Sequence, residues 1–420
     1  MKKGTKIRLE IHNILYEVYK NNLNMNSTSI KRKLDKYSSQ DIAFILNVSL
    51  NSMRYFLYTK KIINSFVKKN PKSHELILLI SAITQVVFLG FKEYAVINCS
   101  VEIAKKLNIY HGFINALLKN ISNKKQELKK TIISYEDLPS WFKKNTLNLN
   151  ESEKKIILKS IIEEPNIHIV FKNKEKLLSF EGNVNLTSES SGFLKDNLKL
   201  SNLESYSEGD WWIQDYSSSF PLNHMILDAK IKCIDLCSAP GGKAFQLLSK
   251  NIEVILNDKS KPRIKLLKSN LSRLKFKAKI LNFDVLNINF ETKYDLVILD
   301  APCTAVGTIR RNPEILFKNQ NPDIENLVAI QEEMLNKATY LLKDSGCILY
   351  MVCSFLEVET LNQINKFLSK RSEFFVEQFM LNKNEIENKK LIYNKLMITL
   401  PQTINDYKID GYFAALLRKK

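Results

Sequence analysis

The feature that most constrains this chain is an alternation that sets in near residue 225. Five short apolar runs, KCIDLC (232–237), EVILND (253–258), AKILNFD (278–284), YDLVILD (294–300) and CILYMVC (347–353), are separated by helical segments such as RIKLLKSNLSRL, IENLVAIQEEMLNKATYLLK and EVETLNQINKFLSK. Strands with no polar alternation are strands covered on both faces, and their regular exchange with helices predicts a doubly wound parallel sheet. The run Tyr412 to Leu417 predicts one last strand, antiparallel, at the sheet edge. The run Leu296–Leu299 is cut off by Asp300, with Cys303 close behind, and CILYMV is followed by Cys353. Two cysteines are therefore expected side by side at the ends of neighbouring strands.

At 420 residues two or three domains are expected. The best candidate for a membrane span, Leu76 to Phe91, is uncharged for only 16 residues and contains Ser81, Thr84 and Gln85, so it reads as a buried helix. The basic N-terminus lacks an apolar core followed by small residues, which predicts a cytoplasmic protein with no membrane association. The cysteines at 99, 233, 237, 303, 347 and 353 form no C-x-x-C pair and have no companion histidines at ligand spacing. This argues against a metal site and against a disulfide framework.

Of the net charge of +19, residues 1–130 hold 23 Lys and Arg against 8 Asp and Glu, a net +15. Part of the surplus reflects a lysine-, asparagine- and isoleucine-rich composition, but composition alone does not segregate charge. A polyanion such as RNA is the natural partner for an excess placed in this way. The same third shows apolar residues at spacings of three and four in RLEIHNILYEVY, QDIAFILNVSLNSMRYFL, ELILLISAITQVVFL, VEIAKKL and GFINALLKNI, so it is expected to be all-helical. Breaks and caps are expected at 26–28, 38–40 and 73–74. The helix series through Gln85–Phe88, YAVINCSVEIAKKL and Gly112–Ala116 resembles the NusB-type RNA-binding module. Residues 131–225 predict a small α+β subdomain: the EDLPSW turn, the helix ESEKKIILKSIIEE, a strand in NIHIVF (166–171), a polar passage over 181–210, and an aromatic strand with a turn in GDWWIQDYSSSFP. The expected domains are thus 1–130, 131–225 and 226–420.

The chemistry lies in the third of these. Asp235-Leu236-Cys237-Ser238-Ala239-Pro240-Gly241-Gly242-Lys243 puts two glycines between a strand and a helix, where the backbone can pass close to a ligand. The next run ends in Asp258, 17 residues after Gly241, where a carboxylate can hold ribose hydroxyls, and the third ends in Asp284, placed to meet an adenine edge. Taken singly, each acid reads more readily as a cap or turn residue than as a ligand. Together, three acids at three consecutive strand ends suit a nucleoside cofactor.

DLCSAPGGK, DAPCTAVG and YMVCS are together similar to the signature of the RNA cytosine-C5 methyltransferases of the Sun or Fmu group. The Arg310-Arg311-x-Pro313 segment, the NusB-like front end and the DGYF finish resemble the RsmB type, which modifies small-subunit (16S) ribosomal RNA. The resemblance implies a multidomain chain: an all-α NusB-like domain, a small α+β linker subdomain and a Rossmann-like methyltransferase domain. It implies S-adenosylmethionine held by residues 237–243 (Cys237, Ser238, Ala239, Pro240, Gly241, Gly242 and Lys243), Asp258 and Asp284, with Asp300 near both methyl donor and base. It further implies Cys353 as the nucleophile and Cys303 as the cysteine associated with product release. Chemistry gives an independent reason for a cysteine: carbon 5 of cytosine is a poor nucleophile until a thiolate has added at carbon 6. A free thiol has a pKa of about 8.5, and a helix starting near Leu356 is expected to help Cys353 ionise.

Arg310 and Arg311 are the expected RNA phosphate contacts. Where the family has Pro-Glu-Glu-Asn after the catalytic cysteine, this chain has Glu357-Val358-Glu359-Thr360, and Val170 stands near the place of a usual arginine in the middle region. The partner is expected to be ribosomal RNA and the chain a monomer. A tRNA cytosine-C5 enzyme and a non-catalytic assembly factor that uses the cofactor fold as a scaffold are the alternatives.

Overall fold

The structure, a computed structural model, describes residues 1–195, 205–287, 291–381 and 391–420, so the middle of the polar 181–210 passage lies outside the described residues. The chain divides into two compact units, Met1–Glu163 with Ile309–Pro322, and Glu164–Thr308 with Asp323–Lys420. The 131–225 region is split between them. Its helix Glu151–Ile162 lies in the first unit. Its strands lie in the second, because Val170, Phe193 and Trp212 share a core with Phe245, Leu267 and Leu274.

The first unit is built of helices alone. Its central element, Lys3–Asn21, buries Ile7, Ile11, Ile14, Leu15 and Val18 along one stripe. That stripe packs against Ser39–Arg54, Ser73–Ile83 and Glu93–Lys106. Ser27 and Ser38 cap their helices through side-chain oxygens. Ser73 is instead the first helical residue, and the Glu75 carboxylate accepts the Lys72 amide at 2.7 Å. The apolar run from Leu76 closes in a π turn, Thr84–Phe88. No helix among the described residues is long and apolar enough to cross a membrane. Residues 309–322 complete this unit: Phe317 packs on Tyr19 and Phe56, and the Asn319 amide donates to the Tyr19 carbonyl at 3.0 Å.

The second unit carries two sheets. The smaller is antiparallel, with order β2-β3-β1-β4, where β1 is His168–Phe171, β2 Val184–Ser188, β3 Ser191–Leu194 and β4 Trp211–Ile213. The segment after β4 is a helix, Tyr216–Asn223, rather than the expected turn; Asp215 caps it by accepting the Ser217 amide. The larger sheet contains β5 (Cys233–Asp235), β6 (Val254–Asn257), β7 (Ile280–Leu281), β8 (Tyr294–Asp300) and β9 (Leu342–Val352). It continues through β10 (Phe374–Glu377), β11 (Ile392–Tyr393) and β12 (Leu396–Thr399). A hairpin, β13 (Thr403–Ile404) and β14 (Tyr407–Lys408), stands apart, and β15 (Tyr412–Lys419) ends the sheet's chain path.

The order of the larger sheet is β11-β12-β15-β9-β8-β5-β6-β7, with β10 also pairing β15. The block β9-β8-β5-β6-β7 is parallel, as the alternation requires. The last strand is antiparallel as expected but is interior, flanked by β9 on one side and by β10 and β12 on the other. Its sequence explains this, since Tyr412–Leu417 is buried throughout and has no solvated face. The period of two is visible in the core. Leu296 and Ile298 of β8 join Leu349 and Met351 of β9 on one face, while Val297 and Leu299 join Ile348 and Tyr350 on the other. Each such side chain contributes roughly 1.5–3 kcal/mol on burial, which makes the centre of the sheet a rigid base for whatever its strand ends carry.

Candidate active site

The register of the sheet brings the reactive residues together. Asp300 pairs with Met351 at the parallel ends of β8 and β9, and the Ala301 amide donates to the Met351 carbonyl at 2.9 Å. Both chains then leave the sheet at one level, and the Cys303 and Cys353 sulfurs lie 3.4 Å apart. The two loops are held by a close backbone crossing. The Gly307 amide donates to the Cys353 carbonyl at 3.1 Å and the Gly411 amide to the Gly307 carbonyl at 2.8 Å. A Cβ on Gly307 would fall 1.9 Å from the Gly411 carbonyl oxygen, so the glycines of DAPCTAVG and DGYF are required by each other.

One side of this centre is a charged cluster. Lys243 Nζ lies 2.6 Å from Asp300 Oδ2 and 3.1 Å from the Ser218 hydroxyl, and it sits over the Tyr412 ring. The Tyr412 hydroxyl donates to Asp300 Oδ1 at 3.3 Å. Burial on its own would lower the Lys243 pKa, but Asp300 and Tyr412 outweigh it and hold the amine charged. Asp235, one strand over, has its pKa pushed up to about 7, chiefly by burial, with Lys243 opposing and Asp300 adding.

The other side holds the thiols. The Cys303 pKa is raised well above its ordinary value, first by its hydrogen bond to the Cys353 sulfur, then by burial, then by the negative charge of its neighbours. Cys303 therefore keeps its proton. Burial also raises the thiols of Cys233 and Cys237, and that of Cys347 to about 11, so these three keep their protons. The helix expected near Leu356 begins at Leu361, after a 3-10 turn over Glu357–Glu359. Its N-terminus is thus displaced from Cys353, and the Leu356 amide is taken by the Ser354 hydroxyl at 3.2 Å.

A cavity of about 250 Å³ opens beside the thiols, lined among others by Cys237, Asp258, Phe283, Asp284, Asp300, Pro302, Cys303, Met334 and Cys353. Its residues suit S-adenosylmethionine: two carboxylates from successive strand ends, apolar walls, and Asp300 with the thiols at one end. Asp235 Oδ2 and the Ser238 hydroxyl lie buried behind it without a well-formed hydrogen bond. Of the loop 237–243, Cys237 lines the cavity, whereas Ser238–Gly242 shape it from behind. The Ala239 amide donates to Asp258 Oδ2 at 3.3 Å, and Gly241, at φ 118°, has no room for a Cβ beside Phe245. Phe283, Lys259 and Arg263 line the cavity and were not marked by the sequence pattern. The polar ends of the strand runs concealed them. Among the described residues no group of His, Cys, Asp or Glu could hold a metal ion.

The two arginines do not share a fate. Arg310 is 2% exposed, and its Nη2 and Nε donate to Glu163 Oε2 at 2.7 and 3.1 Å, while Arg54 Nη2 donates to the Arg310 carbonyl. A guanidinium buried on a carboxylate does not reach an RNA phosphate, so the expected RNA role of Arg310 is replaced by a structural one. Arg311 is half-buried in the same segment.

Two family models match this chain. The model described as 16S rRNA methyltransferase RsmB/F covers residues 225–418, and that of the NusB family covers residues 5–123. Residues 225–418 thus match an RsmB/F methyltransferase domain, with a NusB domain in front. Relatives of the chain include the ribosomal RNA small subunit methyltransferase B of Vibrio vulnificus, 25% identical over 87% of this chain and 91% of its own. The protein of the same name from Shewanella oneidensis is 26% identical over 86% and 89%. In fold, the chain is similar to the solved protein PH0851 (TM-score 0.74, 21% identity, 100% of this chain and 99% of that one). It is also similar to NSun6 from Pyrococcus horikoshii with SFG (TM-score 0.55, 19% identity, 66% and 96%). RsmB/F enzymes take the methyl group from S-adenosylmethionine, and so does this one.

Proposed function

We propose that this chain methylates carbon 5 of a cytidine in small-subunit ribosomal RNA through a covalent bond between Cys353 and carbon 6. The observation that carries this reading is the pair of thiols 3.4 Å apart at the ends of adjacent parallel strands, beside the cavity. S-adenosylmethionine, when bound, supplies an electrophilic methyl on a sulfonium. Asp258 and Asp284 hold its nucleoside, and the loop 237–243 supports it.

The Cys353 thiolate forms the bond to carbon 6, and the electron pair of the 5,6 double bond moves to carbon 5, which makes that carbon a nucleophile. Asp300, fixed on Lys243 and Tyr412, accepts from the exocyclic amine of the cytosine and from ring N3 once that nitrogen takes up a proton from water, which neutralises the negative charge that thiolate addition places on the ring. Once carbon 5 is methylated, its proton passes to a water molecule, the carbon–hydrogen electron pair re-forms the 5,6 double bond and the sulfur of Cys353 leaves as the thiolate. Cys303, still protonated at 3.4 Å, stabilises the departing thiolate by donating to it. The target base must be turned out of its stack to reach Cys353. The basic helical domain supplies affinity for the RNA, with Arg311 as a phosphate contact.

Bisulfite sequencing of ribosomal RNA and tRNA from cells carrying or lacking this gene tests the reading. Loss of a 5-methylcytidine in small-subunit RNA is the expected result. Loss in tRNA alone would overturn the substrate, and loss nowhere would overturn the enzyme. Cys353→Ala is expected to abolish transfer while RNA retention in a filter-binding assay stays within about twofold of the parent.

A further inference from the structure

Glu359 lies in a segment, Glu357–Thr360, that differs from its family's usual Pro-Glu-Glu-Asn, and it is fully buried. Its carboxylate meets four donors. Oε1 accepts from the Thr304 amide at 2.8 Å and from Gln331 Nε2 at 3.0 Å; Oε2 accepts from the hydroxyls of Thr304 and Ser354. Thr304 directly follows Cys303, and Ser354 directly follows Cys353. Gln331 extends the hold to the other side of Cys303, since its Nε2 also donates to the Pro302 carbonyl at 2.9 Å. One carboxylate thus grips the residue after each thiol and, through one glutamine, the residue before the first.

A carboxylate offers about four acceptor positions, and here all are filled by the protein. Glu359 has no position left for a substrate proton, so its influence on the reaction must pass through the two loops it holds. A neutral, apolar core would cost less than a buried carboxylate if packing were all that was needed. What the carboxylate supplies is a fixed relation between two loops from different strands. We propose that Glu359 is a positioning residue: it clamps the loops of Cys303 and Cys353 so that the two sulfurs stay in contact and only Cys353 is presented for attack. This rests on the cytosine-C5 methylation proposed above. Its negative charge is also one of the influences that keep Cys303 protonated, after the Cys353 hydrogen bond and burial.

The test uses the full chain and Glu359→Gln, which keeps the volume and removes the charge. Iodoacetamide labelling from pH 6 to 10, with each thiol followed by peptide mass spectrometry, needs no RNA and no turnover. The parent is expected to label at Cys353 at least about tenfold faster than at Cys303, and E359Q to bring the two within about threefold. In steady state, E359Q is expected to lose about 100-fold in kcat with KM for RNA within about twofold. Thr304→Val and Ser354→Ala each remove one hydroxyl donor; each gives a smaller loss of the same sign and adds little to E359Q, as members of one network do. These two carry the test if E359Q does not fold.

Unchanged thiol selectivity in E359Q would overturn the clamp. So would a loss of kcat accompanied by an equal rise in KM and a lowered melting temperature, the signature of a merely structural residue. A parent chain with no transferase activity whose thiol selectivity still depends on Glu359 would instead overturn the reaction and leave the clamp standing.

Discussion

Two cation–carboxylate pairs, one in each unit, show how the same interaction serves different ends. Lys243 and Asp300 meet at 2.6 Å at the strand ends, and the Asp300 side chain remains 31% exposed and borders the cavity. Arg310 and Glu163 meet at 2.7 Å in the helical unit, with the arginine closed off from solvent. Lysine is a point charge on a flexible stem and leaves its partner's other oxygen accessible, whereas arginine engages through two nitrogens and fixes orientation. The first pair is left open on the substrate's side; the second is closed on itself. The difference teaches that burial and charge alone do not mark a catalytic group. What marks it is acceptor capacity that still faces a space large enough for a ligand.

That contrast can be broken by substitution. Asp300→Asn keeps the volume but removes the charge that Lys243 and the base both need. A fall of about 10²–10³ in kcat is expected, in the range for losing one preorganised electrostatic partner, with little change in melting temperature. Arg310→Ala should do the reverse: about 3 kcal/mol of stability lost in thermal unfolding, because Glu163 is left without its cation, and near-normal kcat for the folded fraction. Arg310→Met with Glu163→Leu should restore much of that stability. If Arg310→Ala instead weakens RNA binding without loss of stability, the two pairs are alike after all.

Smaller effects sharpen the picture. Tyr412→Phe removes one hydrogen bond to the charged Asp300 carboxylate, long at 3.3 Å, and is expected to cost about 1.5 kcal/mol in kcat/KM, roughly tenfold. Asp235 gives a pH signature. With its folded pKa near 7 and its unfolded pKa near the ordinary value, the native state binds the extra proton between these limits. The contribution of Asp235 to stability therefore falls as pH rises towards 7. The gain in melting temperature from Asp235→Asn should be greatest at pH 8 and shrink towards pH 5.

The parallel sheet, the neighbouring cysteines and the acids at strand ends were legible because each is carried by a local pattern: a continuous apolar run and the residue that closes it. What the sequence hid depends on partners distant in the chain. Arg310 reads as an exposed basic residue until Glu163, 147 residues earlier, is seen to hold it. Tyr412 reads as a strand residue, and only the β9–β15 register brings its hydroxyl to Asp300. Glu359 sits in a motif altered from the family's usual one, yet the altered motif still delivers a carboxylate between two loops. The position of the last strand was misread for a related reason: being antiparallel does not make a strand an edge when both its faces are apolar.

The helical unit is completed by residues 309–322, although its other part ends at Glu163. During synthesis the front domain therefore emerges first and waits for its final piece while most of the catalytic domain is being made. At 5–20 residues per second, that wait is on the order of ten to thirty seconds. Throughout it, the places that will receive Phe317 and Arg310 stand open to solvent.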